Sequence, residues 1–345
     1  MEPSSNPNPN HDQVWARVVI VAYLSGSHLQ KCIDALASQT FTDFEVVIVN
    51  NQSPDRCVDS LVLPDARFAT VDATSNLGFS GGSNLGAKNA ISDWIITLNP
   101  DTIPNADWLF ELKKATEQNC EFASLSSTLL NAKDPSIVDG FGDVISIYGI
   151  FWRGGLGAKV DTLPNCNVEV FGPCAAAAGY RRDVFEAMGG FDPDFFCYLE
   201  DVDLSFRLLL AGHRCIQVRS ALVKHVGSAS SENDLSFPVY HTYKNNLRLI
   251  IRNAPFSILG LMLCAYCISQ TYIIFKNRRD TFTSARLRGV MHAVKTIPMA
   301  WQSRRSMSRI SKTGRTALKV HMVWAPRSVS KLVPKYIPIK CSHFD

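Results

Sequence analysis

Residues 17–51 read RVVIVAYLSGSHLQKCIDALASQTFTDFEVVIVNN. Arg17 to Ala22 is a β-branched run with apolar residues toward both faces, the mark of a strand buried in a sheet. A polar turn follows. Ser27 to Gln39 then sets Leu29, Cys32, Ile33 and Leu36 at the three- and four-residue spacing of an amphipathic helix. Phe44 to Asn50 (FEVVIVN) returns as a second strand. Further along, Phe68 to Ala73 reads as a shorter strand, Ser80 to Ala90 as a Gly-rich helix start, and Trp94 to Leu98 (WIITL) as another strand. This alternation predicts an α/β domain with a mostly parallel sheet and helices on both faces. Open sheets of this kind bind ligands beyond the carboxyl ends of their strands, where this chain carries Tyr23, Asn50, Asn51 and Asn99-Pro100-Asp101.

Dinucleotide-binding oxidoreductases, nucleotidyltransferases and glycosyltransferases share that alternation. Ala22 to Leu29 (AYLSGSHL) lacks the Gly-x-Gly-x-x-Gly that lets a pyrophosphate approach a helix N-terminus, and no P-loop is present. No Gly- and Lys/Arg-rich triphosphate segment follows the first strand, which counts against a nucleotidyltransferase.

The 345 residues, 46% apolar and 19% charged, suit one large domain with an appendage and exclude wholesale disorder, a collagen-like chain or a multi-span membrane protein. Residues 1–16, Pro-, Asn- and Ser-rich at their start, read as a disordered lead-in without the order of a secretory signal. Ten cysteines without paired spacing point to reduced thiols and a cytoplasmic location. The net charge of +4 hides a division. Up to Tyr240 there are 16 Lys+Arg against 29 Asp+Glu; from His241 onward there are 19 against 2. Inside the basic part, Pro255 to Phe275 (PFSILGLMLCAYCISQTYIIF) is uncharged over about a bilayer's length, and Lys276, Arg278 and Arg279 follow it. An anionic membrane surface is therefore the expected partner of residues 254–345, in preference to nucleic acid. Ser269, Gln270, Thr271 and Gly260 leave both a span and an interfacial helix open.

Four motifs stand in order: Asn50-Asn51-Gln52-Ser53-Pro54-Asp55, Asn76-Leu77-Gly78-Phe79-Ser80-Gly81-Gly82-Ser83-Asn84, Leu98-Asn99-Pro100-Asp101-Thr102, and FDPDFFCYLEDVDLSFR over residues 191–207. Through them the chain, from about Val18 to Arg252, resembles the inverting family 2 glycosyltransferases, and most closely the rhamnosyltransferase-like branch that builds bacterial cell-surface glycans. The resemblance implies a GT-A fold over 17–253, Rossmann-like with a mostly parallel sheet, followed by a helical, basic, membrane-associating tail over 254–345. It also implies that Ala22, Tyr23, Asn50, Asn51, Asn76, Gly78 and Asn84 hold a nucleoside-diphosphate sugar. Asn50 departs from the family, whose members commonly have Asp there; an amide still hydrogen-bonds, without charge.

Asn99-Pro100-Asp101 stands where the family has Asp-x-Asp, reduced to one carboxylate. One carboxylate, a diphosphate and waters can satisfy Mg²⁺ or Mn²⁺, so Asp101 is the expected metal ligand, although Asn-Pro-Asp is also a good turn. His225 matches a family histidine that can complete the metal site. Glu200, Asp201 and Asp203 open an expected helix to Leu210 with Gly212 as its cap, where acids favour the dipole and Asp203 can pair with Arg207. The aromatic run before them would put Glu200 and Asp201 in a partly dry pocket that raises their pKa values, as suits a general base. The resemblance makes Asp201 the base and Glu200 the group that orients the acceptor. Phe171 to Tyr180 (FGPCAAAAGY) reads as a small-residue segment before a helix, for close packing or as a pocket floor, and Trp152-Arg153 as part of a Gly-rich closing loop.

The implied activity is transfer of one sugar, rhamnose or another deoxysugar among the candidates, to a hydroxyl of a glycan or lipid-linked acceptor at the inner face of the cell membrane. The processive Gln-x-x-Arg-Trp signature is incomplete at Gln302-Ser303-Arg304-Arg305-Ser306. A non-catalytic membrane-bound sugar-nucleotide binding protein is the alternative; a nucleotidyltransferase stands behind it.

Overall fold

The β-branched runs form strands in the computed structural model, which describes residues 14–227, 235–305, 312–326, 328 and 335–339. β1 (Ala16–Ala22), α1 (His28–Ala37), β2 (Phe44–Asn50), β3 (Phe68–Asp72), α2 (Gly78–Ala87) and β4 (Trp94–Leu98) lie within three residues of the expected bounds. Then come β5 (Thr102–Pro104), α3 (Trp108–Gln118), β6 (Phe122–Asn131), β7 (Val138–Phe141), β8 (Asp143–Ile145), β9 (Phe151–Arg153) and β10 (Val168–Val170). They are followed by β11 (Ala177–Arg181), α4 (Arg182–Ala187), α5 (Glu200–Ala211) and β12 (Arg214–His225). The expected lead-in lies outside the described residues as far as 13, and Trp15 is already buried, edge-on to Phe41.

β1 pairs in parallel with both β2 and β4, and β2 with β3. The chain thus runs outward from β1 to β3 and then returns to β1's other side. That reversal opens a crevice between the ends of β1 and β4, the usual place for a ligand in such sheets. Side chains alternate across the sheet. Val18, Ile20 and Ile48 pack on α1 and α3, while Val19, Val49 and Ile95 face α2 and α4. Gly86 lets α2 lie against β1, since a Cβ there would stand 2.4 Å from Val19 Cγ1.

The sheet is mixed where a mostly parallel one was expected. β11 runs antiparallel between β4 and β6. Its residues come from the segment read as a small-residue approach to a helix. Alanine and glycine carry little strand propensity, which hid the strand, and only a small residue fits at Gly179, where a Cβ would meet Leu125 Cδ1 at 2.9 Å. β12 pairs in parallel with β6 and antiparallel with β10 and β5.

The helices beyond β12 stay in contact with this body. α6 (Ser236–Asn253), α7 (Phe256–Lys276), α8 (Thr283–Lys295), α9 (Ile297–Arg305) and α10 (Lys312–His321) follow. Met262 and Tyr266 of α7 and Met322 beyond α10 share one buried cluster with Ile145, Phe206 and Ile250. β13 (Ile337–Pro338) adds a strand to β10, and His321 Nε2 lies 3.1 Å from Glu169 Oε1. The nine cysteines among the described residues are all unpaired.

Candidate active site

The ends of β1, β4 and β12, the start of α5 and the β8–β9 hairpin enclose a cleft of about 590 Å³. Tyr23, Asn51, Asn76, Gly78, Asp101, Glu200, Asp201 and His225 all line it, so residues scattered over the sequence converge here.

Glu200 and Asp201 open α5 after a distorted turn. Phe196, Tyr198 and Leu199 have left-handed backbones with φ of 65°, 70° and 68°. Each costs an L-residue about 1–2 kcal/mol, so neighbours must hold the turn in place. Asn245 of α6 does so, its Nδ2 donating to the carbonyls of Phe195, Cys197 and Tyr198 at 2.9, 3.0 and 2.7 Å. Gly78 does so from the other side. Its φ is +66°, and a Cβ there would stand 2.2 Å from the Phe196 carbonyl oxygen. That oxygen also accepts from Ser80 N at 3.1 Å. The Asn-Leu-Gly-Phe segment and the acidic segment therefore interlock through backbone. Asp203, fully buried, is structural: Arg207 Nε donates to its Oδ2 at 2.9 Å and Asn253 Nδ2 to its Oδ1 at 2.7 Å.

Three carboxyl groups meet at this end. Asp201 Oδ2 accepts from Ala175 N at 3.1 Å and Oδ1 from Val202 N at 2.8 Å. Burial pushes Asp201 above the ordinary carboxylate range, while those N–H groups and the Arg153 charge pull it back. Glu200, only 5% exposed, leaves Oε2 without a hydrogen-bond partner. Burial, then the Asp201 charge, drives it well above its usual value. Asp143 on β8 is driven up by the same two causes. Asp201 thus has the best-supported anion of the three, with N–H groups from two other residues and the Arg153 charge beside it.

Asp101 and His225 meet because β5 pairs with β12, bringing Thr102 opposite His225. His225 Nε2 lies 3.4 Å from Asp101 Oδ1 and is buried without a hydrogen-bond partner. Its Nδ1 lies 2.7 Å from Asp139 Oδ2, which Arg153 also contacts. Burial opposes a charge on His225, but Asp101 and Asp139 outweigh it and lift the ring to about 9. Among the described residues no three His, Cys, Asp or Glu side chains form a metal cage. The pair nevertheless suits a divalent cation that brings other ligands with it. One carboxylate and one imidazole nitrogen converge, and the other ring nitrogen is held by a carboxylate as metal-binding histidines usually are.

At the opposite wall, Asn51 is 1% exposed and knits a turn together. Its Nδ2 donates to Asn76 Oδ1 at 3.0 Å and its Oδ1 accepts from Leu77 N at 2.9 Å. Three expected donor-binding residues do not line the cleft. Ala22 is fully buried and contributes its carbonyl, which accepts from Asn51 N at 3.1 Å. Asn84 spends both ends of its amide on the Phe191 backbone, at 2.7 and 3.0 Å. Asn50 sits at the end of β2, donating to Asp72 Oδ1 at 2.8 Å.

Asp139, Asp143, Phe237 and Thr242 were not foreseen. Asp143 and Arg153 face each other only because β8 and β9 pair, so the expected closing loop at Trp152-Arg153 is a hairpin strand. The only signal in the sequence was two acids flanking Gly-Phe-Gly at Asp139 to Asp143. Of the small-residue segment, Cys174, Ala175 and Ala176 do line the cleft.

Comparison with known proteins places the fold in a family. Residues 17–189 match the model of glycosyl transferase family 2. The N-acetylglucosaminyl-diphospho-decaprenol L-rhamnosyltransferase of Mycobacterium tuberculosis (strain CDC 1551 / Oshkosh) is 28% identical over 243 residues, 63% of this chain and 78% of the relative. The O-antigen chain rhamnosyltransferase RfbN of Salmonella typhimurium (strain LT2) is 21% identical over 300 residues, 75% of this chain and 89% of the relative. A crystal structure of GalNAc-T7 with UDP, GalNAc and Mn²⁺ superposes with a TM-score of 0.61 at 14% identity, covering 93% of this chain and 59% of that one, a likeness of fold. The chain belongs to glycosyl transferase family 2 and is a glycosyltransferase with a mixed α/β sheet of GT-A type.

Proposed function

We propose that this enzyme transfers one sugar, with inversion, from a nucleoside diphosphate to a hydroxyl of a glycan or lipid-linked acceptor in cell-surface polysaccharide synthesis. The observation that carries the reading is the cleft's division of labour. Asp201, a carboxylate whose anion accepts two N–H bonds, and the Asp101–His225 pair line the same cavity.

Asp201 takes the proton from the acceptor hydroxyl as its oxygen attacks the anomeric carbon, and Glu200 orients that hydroxyl. Single displacement inverts the centre. A retaining double displacement would need a second carboxylate as anionic nucleophile, and burial together with the Asp201 charge disfavours the anions of Glu200 and Asp143. Asp101 and His225 would hold Mg²⁺ or Mn²⁺. A divalent ion there would neutralise charge developing on the departing diphosphate. Tyr23, Asn51, Asn76 and Gly78 shape the nucleotide end, and the Asn50–Asp72 edge bears on which base is accepted. Two relatives named as rhamnosyltransferases support rhamnose or another deoxysugar as donor, and the decaprenol in one name supports a lipid-linked acceptor. The basic C-terminal part supports a place at the cytoplasmic face of the membrane.

The test incubates a panel of nucleotide sugars with acceptor and Mg²⁺ or Mn²⁺ and reads the new linkage by proton NMR. Inverted anomeric configuration with release of nucleoside diphosphate is expected. Retention, or pyrophosphate release from a nucleoside triphosphate, overturns the proposal.

A further inference from the structure

The membrane reading above leaves open how α7 meets the bilayer, and its packing bears on that point. The helix has 21 residues and a mean hydropathy of 1.8 over its apolar window. Among the described residues only one side of it is covered. Leu259, Met262, Tyr266 and Gln270 recur every three or four residues and are buried. The three apolar ones join the cluster that contains Ile145 and Ile250, and Ser269 Oγ donates to the Tyr148 carbonyl at 3.2 Å.

The opposite side is equally apolar and bare. Leu261, Ile268, Tyr272 and Phe275 are 55%, 72%, 62% and 65% exposed. A helix that is apolar all round belongs in an apolar surrounding, and here the protein supplies only half of one. α8 adds Leu287, Met291 and Val294, exposed along one stripe. Lys276, Arg278, Arg279, Arg288 and Lys295 are exposed on the same segments. Apolar stripes with cationic borders complement an anionic lipid surface.

Length decides between lying and crossing. At about 1.5 Å per residue, the docked stretch from Leu259 to Gln270 takes up roughly half of a helix of about 31 Å. A crossing helix needs lipid around it through a hydrocarbon core of about 30 Å. Here the enzyme's own body, including the polar backbone of Tyr148, occupies one side of that stretch.

Granted the membrane reading, the geometry points to α7 lying in the plane of an anionic bilayer, with its Leu261, Ile268 and Phe275 side in the acyl boundary and its Met262 side on the enzyme. The turn it grips, at Tyr148, joins the strands that carry Asp143 and Arg153 into the cleft. The membrane face and that wall of the active site are therefore joined through this turn.

The experiment uses the full chain with its exposed cysteines and Cys341 replaced by serine. An environment-sensitive fluorophore is attached to Leu261→Cys, Ile268→Cys or Phe275→Cys in turn. Vesicles of phosphatidylcholine, with or without phosphatidylglycerol, carry nitroxides near the headgroup or near the acyl end. All three positions should shift to the blue with phosphatidylglycerol and be quenched more strongly by the shallow nitroxide. Deep quenching at Ile268 with shallow quenching at Leu261 and Phe275 means that α7 crosses, which overturns the in-plane arrangement and leaves the membrane reading standing. No shift with either vesicle overturns both, and a shift that follows protein concentration without lipid assigns the face to a second copy.

Discussion

Replacing Gly78 with alanine tests the interlock between the nucleotide turn and the catalytic turn. The new Cβ would sit 2.2 Å from the Phe196 carbonyl oxygen, on a backbone with φ of +66°. The left-handed conformation alone costs an L-residue about 1–2 kcal/mol. Losing the Ser80 N–H bond to that carbonyl adds about 0.5–1.5 kcal/mol. A total of about 2–3 kcal/mol should appear as a lower urea midpoint. Relief of the clash requires the carbonyl to retreat by about 1 Å, and a misplacement of that size near reacting groups can cost about 10²-fold in rate. Turnover and donor affinity are measured alongside stability. Gly86→Ala is the control, since its Cβ meets Val19 beneath the sheet, away from the cleft, and should cost stability with little loss of turnover. If Gly78→Ala unfolds at the wild-type midpoint and turns over within about twofold of wild type, the two turns are not locked together.

Asp139→Asn should weaken Mn²⁺ binding in the presence of a nucleoside diphosphate by about 10–100-fold, because the imidazole loses the carboxylate that orients it. Titration calorimetry checks this, and unchanged affinity removes Asp139 from the site. Glu200→Gln should stabilise the protein increasingly as pH rises. The native state binds this proton more tightly than the unfolded chain does, so stability of the wild type falls with pH above the ordinary carboxylate range, and the amide escapes that loss. Melting both proteins from pH 5 to 8 would falsify the assignment if the gap between them narrows.

Strands β1, β2 and β4 were legible because β-branched runs leave little choice of structure, and the interval between β1 and β2 carried a clear helical period. β11 was hidden because alanine and glycine do not announce a strand; it exists because only small residues fit between β4 and Leu125. Asp101, Asp201 and His225 could be placed from motifs, since each lies at the end of a recognisable element. Asp139 and Asp143 could not, and Arg153 was read only as part of a closing loop, because Asp143 meets Arg153 through the register of two three-residue strands and Asp139 reaches His225 from a neighbouring strand. Asn84 was drawn into the donor site by its motif, whereas its amide holds the Phe191 backbone. The docked face of α7 left no trace because both faces are equally apolar, and periodicity cannot separate a side that meets protein from one that does not.

Whether Asp201 is the base is decided by the transfer rate of Asp201→Asn at saturating donor. The amide keeps the shape and cannot take the proton, so the rate should fall by about 10²–10⁴-fold, while donor affinity, read separately by calorimetry, stays at the wild-type value. The wild-type rate should also decline on the acid side at a pH above the 3.8 of an ordinary aspartate, because burial raises this carboxyl and only its anion is active. A variant that transfers sugar within about threefold of the wild-type rate would show that Asp201 is not the base.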